Sequence, residues 1–137
     1  MAPQSFAAAD ETTSKKKLTL ASLIGDRIVA HDNRFLGGFI DDLFDPCSLL
    51  NEFSHYRSDF HNHSLFNEFG TYGDDFSELS AYNDTAEHPP RIVGPKNRFR
   101  MWISINPNFK PRLDPHVLRE WLEAFDRASR QESSPKP

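Results

Sequence analysis

The sequence predicts a mostly α fold with extensive irregular segments and a small C-terminal α+β module, built from one strand (98–106) and one helix (115–130). Three observations carry that expectation. The chain of 137 residues is only 37% apolar, with a mean hydropathy of -0.64, against roughly 45–50% apolar in ordinary globular domains. A phrase with helix-like spacing is written twice, SLLNEFSHYRSDF (48–60) and SLFNEFGTYGDDF (64–76), at an offset of sixteen residues. Near the end, DPHVLREWLEAF carries a helix-start signal followed by an apolar stripe.

Taken in order, the first dozen residues and the closing QESSPKP have the small, polar, Pro-containing composition of unordered ends. Residues 15–30 place Leu18, Leu20, Leu23, Ile24, Ile28 and Val29 at imperfect helical spacing, with Gly25 as the weak point, and so predict one short helix in an N-terminal segment, 1–31. An acidic, Phe-rich segment follows over 32–90. It holds twelve acidic residues against Arg34 and Arg57, together with eight of the twelve Phe. Pro89 and Pro90 close it. The next segment, 91–130, is basic, with a short unordered tail at 131–137. Ten basic against five acidic residues fall in 91–137.

Within each repeat copy the apolar positions, Leu49, Leu50, Phe53, Tyr56 and Phe60 in the first, recur as the stripe of a three-turn amphipathic helix, with Ser48 and Ser64 at the N-cap position. Ser80-Ala81-Tyr82-Asn83-Asp84 begins a third copy, and Phe44 lies sixteen residues before Phe60. Internal duplication explains this agreement. In the basic segment RFRMWISIN alternates, placing Phe99, Met101, Ile103 and Ile105 on one face of a half-buried strand. Asp114 then suits an N-cap and Pro115 the first helical position, ahead of Val117, Leu118, Trp121, Leu122 and Phe125.

Several functions are disfavoured on residue type alone. Cys47 is the single cysteine, which excludes an internal disulfide and a paired-cysteine zinc site and points to a reducing compartment, cytoplasmic or nuclear. In its acidic neighbourhood it is not expected to act as a nucleophile. The N-terminal stretch has neither the order nor the length of a secretory signal, and no segment reaches the apolar length of a membrane span. His55, Asp59, His61 and His63 are the right residue types for a metal but lack ligand spacing. No cofactor, no metal and no enzymatic activity are expected.

Two readings of the repeat remain open: a helical hairpin packed on the 115–130 helix as a self-contained structural domain, or tandem recognition segments that dock on a protein partner. Linked copies raise effective concentration, which favours docking in a non-enzymatic adaptor or regulatory protein. The candidate partner-binding residues are Leu49, Phe53, Tyr56 and Phe60, their echoes Leu65, Phe69, Tyr72 and Phe76, and the cluster of Ile40, Leu43 and Phe44. Self-association between acidic and basic segments is a further possibility. Over six residues, Ile40-Asp41-Asp42-Leu43-Phe44-Asp45 resembles the pocket-binding peptide of cell-cycle transcription factors. Phe76-Ser77-Glu78-Leu79 resembles segments that bind autophagy modifiers. The alternative class is a nucleic-acid-binding regulator, in which Arg98, Arg100, Trp102, Lys110 and Arg112 contact phosphates and stack bases.

Overall fold

The computed structural model describes residues 18–133. Five strands, β1 (Arg27–Val29), β2 (Phe35–Gly38), β3 (Arg91–Val93), β4 (Phe99–Ile103) and β5 (Arg112–Leu113), form one mixed sheet in the order β2-β1-β3-β4-β5. Only the β4–β5 pair is parallel. A single α-helix, α1 (Pro115–Ser133), follows. The mostly α expectation is therefore wrong: one helix stands beside a five-stranded sheet.

The sheet has two unlike faces, because residues paired across neighbouring strands point to the same side. Ile28, Ile92 and Met101 are paired in one row, and Ile103 pairs with Leu113. All five are buried in the core with Leu118 and Leu122 of α1. The opposite rows hold Val29, Arg91, Trp102 and Arg112, then Arg27, Val93 and Phe99. One residue breaks the expected alternation. Register slips between Ile92 and Val93, so that Arg100 is bulged and Phe99 pairs with Val93 instead of staying beside Met101. Phe99 consequently leaves the core face and is 41% exposed.

The predicted helix over 15–30 does not form in its described part. Ala21–Leu23 makes one 3-10 turn, Gly25 takes a φ of 98°, and the chain enters β1. The strand predicted over 98–106 is shorter, Phe99–Ile103. The C-terminal helix stands nearly as expected: the Asp114 side chain accepts from the His116 N–H at 2.8 Å, and Leu118 and Leu122 are fully buried.

No α-helix forms in the repeats. The chain from Asp42 to Ala86 runs instead as successive β-turns, with N–H groups of Asp45, Ser48, Asn51, Ser54 and Arg57 each donating to the carbonyl three residues back. The cause is visible in the side chains. Ser48 accepts from the Leu50 N–H, Asn51 from Phe53 and Ser54 from Tyr56. Ser64, Asn67, Ser80 and Asn83 repeat the pattern toward Phe66, Phe69, Tyr82 and Thr85. Each acceptor caps a turn two residues on, as at a helix start. With a new cap every third residue the helix never elongates.

These steps coil into a stack held from within. The Ser48 hydroxyl donates to the Ile40 carbonyl at 2.6 Å and Ser64 to Tyr56 at 3.1 Å. Asn51, Asn67 and Asn83 each donate to the carbonyl six residues back. Ser48, Ser64 and Ser80 are fully buried, as are Leu49, Leu65 and Ala81. The third copy is thus structurally real. Its rungs join the sheet where Ser48 bridges Gly38 and where Ile105 N–H donates to the Ala81 carbonyl. Among the described residues, no helix is long and apolar enough to cross a membrane.

Candidate docking surface

The repeat produces two columns of outward Phe. Phe44, Phe60 and Phe76 are 88%, 78% and 89% exposed, and Phe53 and Phe69 are 85% and 76% exposed. Each sits two residues after a turn acceptor: Asp42, Ser58 and Asp74 for the first column, Asn51 and Asn67 for the second. The turns fix the backbone beneath every ring. The core of the coil is filled by other columns, Leu49, Leu65 and Ala81 with Leu50 and Phe66, so these five rings are not required for packing.

The remaining candidate residues divide. Leu49 and Leu65 are fully buried, Tyr72 is buried, and Tyr56 is half-buried against Phe35 at 5.1 Å between centroids. These four belong to the fold, although sequence grouped them with the outward rings. Burial raises the Tyr72 pKa, aided by its hydrogen bond to Asp32 at 2.8 Å. Burial likewise raises that of Tyr56, with the nearby Cys47 adding to it, and pushes Tyr82 up to about 12. Ile40 is half-buried, and Leu43 is exposed beside Phe44. In the stretch resembling the autophagy segment, Phe76 is exposed while Leu79 packs against the core.

Helix α1 lies along the coil and turns the columns into clefts. A cleft of about 250 Å³ is walled by Leu43, Phe44, Leu50, Phe53 and Phe125. One repeat further on, a cleft of about 230 Å³ has Asp59, Phe60, Phe66, Glu68 and Phe69 in the matching positions, with Arg119 of α1. Both carry two acids and an arginine, Glu52, Asp126 and Arg130 in the first and Asp59, Glu68 and Arg119 in the second. The first has the larger apolar wall, and in the second the Arg119 guanidinium lies over the Phe66 ring at 5.3 Å. Ion pairs Arg130–Glu52 and Arg119–Asp59, at 2.6 and 2.7 Å, tie the helix to the rim. Packing of the repeat on the 115–130 helix is expected from sequence only in the structural reading, and Phe125 and Arg119 are not among the residues that sequence assigns to the site.

Three of the six histidines lie together on the coil. His55 and His61 stack at 4.4 Å, and His63 meets His61 edge-on at 5.4 Å. His61 stands where Asp45 and Ser77 stand in other copies, and its Nδ1 accepts the His63 N–H at 3.1 Å. Neutral imidazole is needed for that role. Burial, followed by the closeness of His55 and His63, lowers the His61 pKa. A base whose folded pKa is lowered contributes stability that is complete above its unfolded value of about 6.5 and is lost as pH falls through the folded one. The thermal midpoint is expected to drop between about pH 7 and pH 5, and His61→Ser, which supplies a hydroxyl acceptor as Ser77 does, is expected to flatten that drop. Unfolding followed by circular dichroism at several pH values checks this; equal slopes in both proteins would exclude His61 as the source. Among the described residues no three His, Cys, Asp or Glu side chains are placed to hold a metal ion.

The proposed nucleic-acid residues also divide. Arg100 is paired with Asp26, and Arg112 donates to the Ser104 carbonyl at 2.9 Å and lies 3.7 Å from Asp114. Arg98 and Lys110 are exposed, and Trp102 is half-buried. Compared with family models, with curated proteins and with solved structures, the chain matches none of them.

Proposed function

We propose that the repeat coil is a rigid docking surface for a protein partner, with the chain acting as a non-enzymatic interaction or adaptor module. The observation that supports this most is the exposure of five Phe in register on a folded scaffold, since large apolar groups in contiguous exposed positions mark interaction sites. The coil holds the rings in place before binding, so little ordering entropy is lost at the interface. A surface of rings set among acids suits a partner segment that carries apolar anchors flanked by Lys or Arg. Asp41, Asp42, Glu68 and Asp75 are exposed around the columns.

Peptide display on the intact chain tests the reading. Selected peptides are expected to share apolar anchors at recurrent spacing with basic flanks. Phe53→Ser is expected to weaken a selected peptide about 5- to 10-fold, and Phe53→Ser with Phe69→Ser on the order of 100-fold, as multivalent contact requires. Peptides that bind the double variant as well as the parent would show that the columns are not the site.

A further inference from the structure

We infer that the outward face of the sheet, around the contiguous rings of Phe99, Trp102 and Phe109, is a binding site for single-stranded nucleic acid. This goes beyond the coil surface and stands on different residues. The ring centroids of Phe99 and Trp102 lie 5.0 Å apart, and those of Trp102 and Phe109 5.5 Å apart. The bulge at Arg100 creates this platform by turning Phe99 out of the core row. Below the rings, Val29 and Val93 are buried but stand outside the main core.

Basic side chains predominate around the platform, and the two acids at its margin, Asp26 and Asp114, are ion-paired. The outward rows hold Arg27, Arg91 and Arg112 and no acidic residue. Lys96 and Arg98 in and beside the β3–β4 turn, and Lys110 next to Phe109, are exposed. Among the described residues none of these three has a carboxylate partner. Arg27 bonds the neutral Asn97 amide, and Arg91 bonds the Ala30 carbonyl at 3.1 Å and the Asn33 amide oxygen. The nearby acids are already engaged, Asp26 by Arg100 and Asp114 by Arg112. In a chain with twenty acidic against sixteen basic side chains, leaving cations uncompensated on one face is a sorted arrangement. Elsewhere, among the described residues, Arg57, Arg119 and Arg130 are paired with acids, and Arg34 and Arg127 are the two cations without an ion pair. A ligand that offers regularly spaced anions and flat aromatic faces meets both features, since phosphates answer the cations and bases stack on the rings.

Fluorescence anisotropy of labelled dT and rU oligonucleotides of about 15 nucleotides tests the assignment on the intact chain. Three phosphate contacts predict a loss of about 20-fold in affinity between about 50 and 200 mM salt. Arg98→Glu with Lys110→Glu, both at exposed positions, is expected to remove binding. Phe109→Ala is expected to lower it about 5- to 100-fold by loss of stacking. Phe53→Ser with Phe69→Ser is expected to leave it unchanged, which separates this site from the coil. The tighter of dT and rU identifies the source as DNA or RNA. No anisotropy change at low salt, or unchanged binding by the charge-reversed protein, overturns the inference. Equal displacement by polyglutamate of matching charge also overturns it, in favour of an acidic protein partner.

Discussion

Asp126→Ala is expected to destabilise the fold by about 3–5 kcal/mol, the cost of leaving one member of a buried ion pair without its partner. Arg57 reaches α1 from the first repeat copy and meets Asp126 with two bonds, at 2.5 and 3.3 Å. The two side chains are only 9% and 11% exposed. The same guanidinium donates to the Leu49 carbonyl at 2.8 Å, so it joins a rung of the coil to the helix. Removing the carboxylate leaves Arg57 charged in that position, with one carbonyl in place of three acceptor contacts. For a chain of this length the midpoint of thermal unfolding should fall by about 10–20 °C. Urea unfolding gives the free energy directly. Replacing both members, Arg57→Met with Asp126→Leu, is expected to recover part of the loss, because apolar groups of similar volume do not carry the desolvation penalty. If Asp126→Ala costs under about 1 kcal/mol, the pair behaves as a solvated surface bridge and does not fasten helix to coil.

The helix at the C-terminus was legible because all its signals agree: Asp114 as cap, Pro115 behind it, and an apolar stripe whose Leu118 and Leu122 are fully buried. The repeat was legible as a repeat and misread as structure. Leu49, Leu50, Phe53, Tyr56 and Phe60 do fit a helical stripe. The competing signal lay in the residues between them. Asp42, Asp45, Ser48, Asn51 and Ser54 recur every third position, and side chains of this kind draw the backbone into turns. Apolar spacing alone does not register that competition. Strands β1 and β3 escaped notice because three residues show no alternation. Both read Arg-Ile-Val, at 27–29 and 91–93, and the two tripeptides pair with each other in the sheet. The outward Phe columns were named from sequence together with Leu49, Leu65, Tyr56 and Tyr72. Sorting them required knowing which side of each turn faces the axis. The bulge at Arg100 was beyond reach, since only the register with β3 reveals it.

Gly73→Ala is expected to cost about 3 kcal/mol, at the upper end for overpacking, because the atoms it meets belong to the backbone. A Cβ at Gly73 would lie 2.5 Å from the Leu65 carbonyl oxygen and closer still to that of Asn67. Neither can move without disturbing the rung that carries Phe66 and Phe69. The first copy places Arg57 at the equivalent position, which taken alone suggests that a side chain is tolerated. The backbones differ there. His55–Arg57 forms a 3-10 turn that directs Arg57 toward α1, whereas Gly73 and Asp74 both donate to the Gly70 carbonyl and draw Gly73 onto the preceding rung. Gly70 is the control. Its counterparts are Ser54 and Ala86, and the atoms near its Cβ belong to the Asn67 side chain, the nearest at 3.0 Å. Gly70→Ala is therefore expected to cost about 1 kcal/mol or less. Urea unfolding of the two variants checks the ordering. Equal costs would mean that the second rung adapts as freely as the first, and that the register of the Phe columns is not held by the close approach at Gly73.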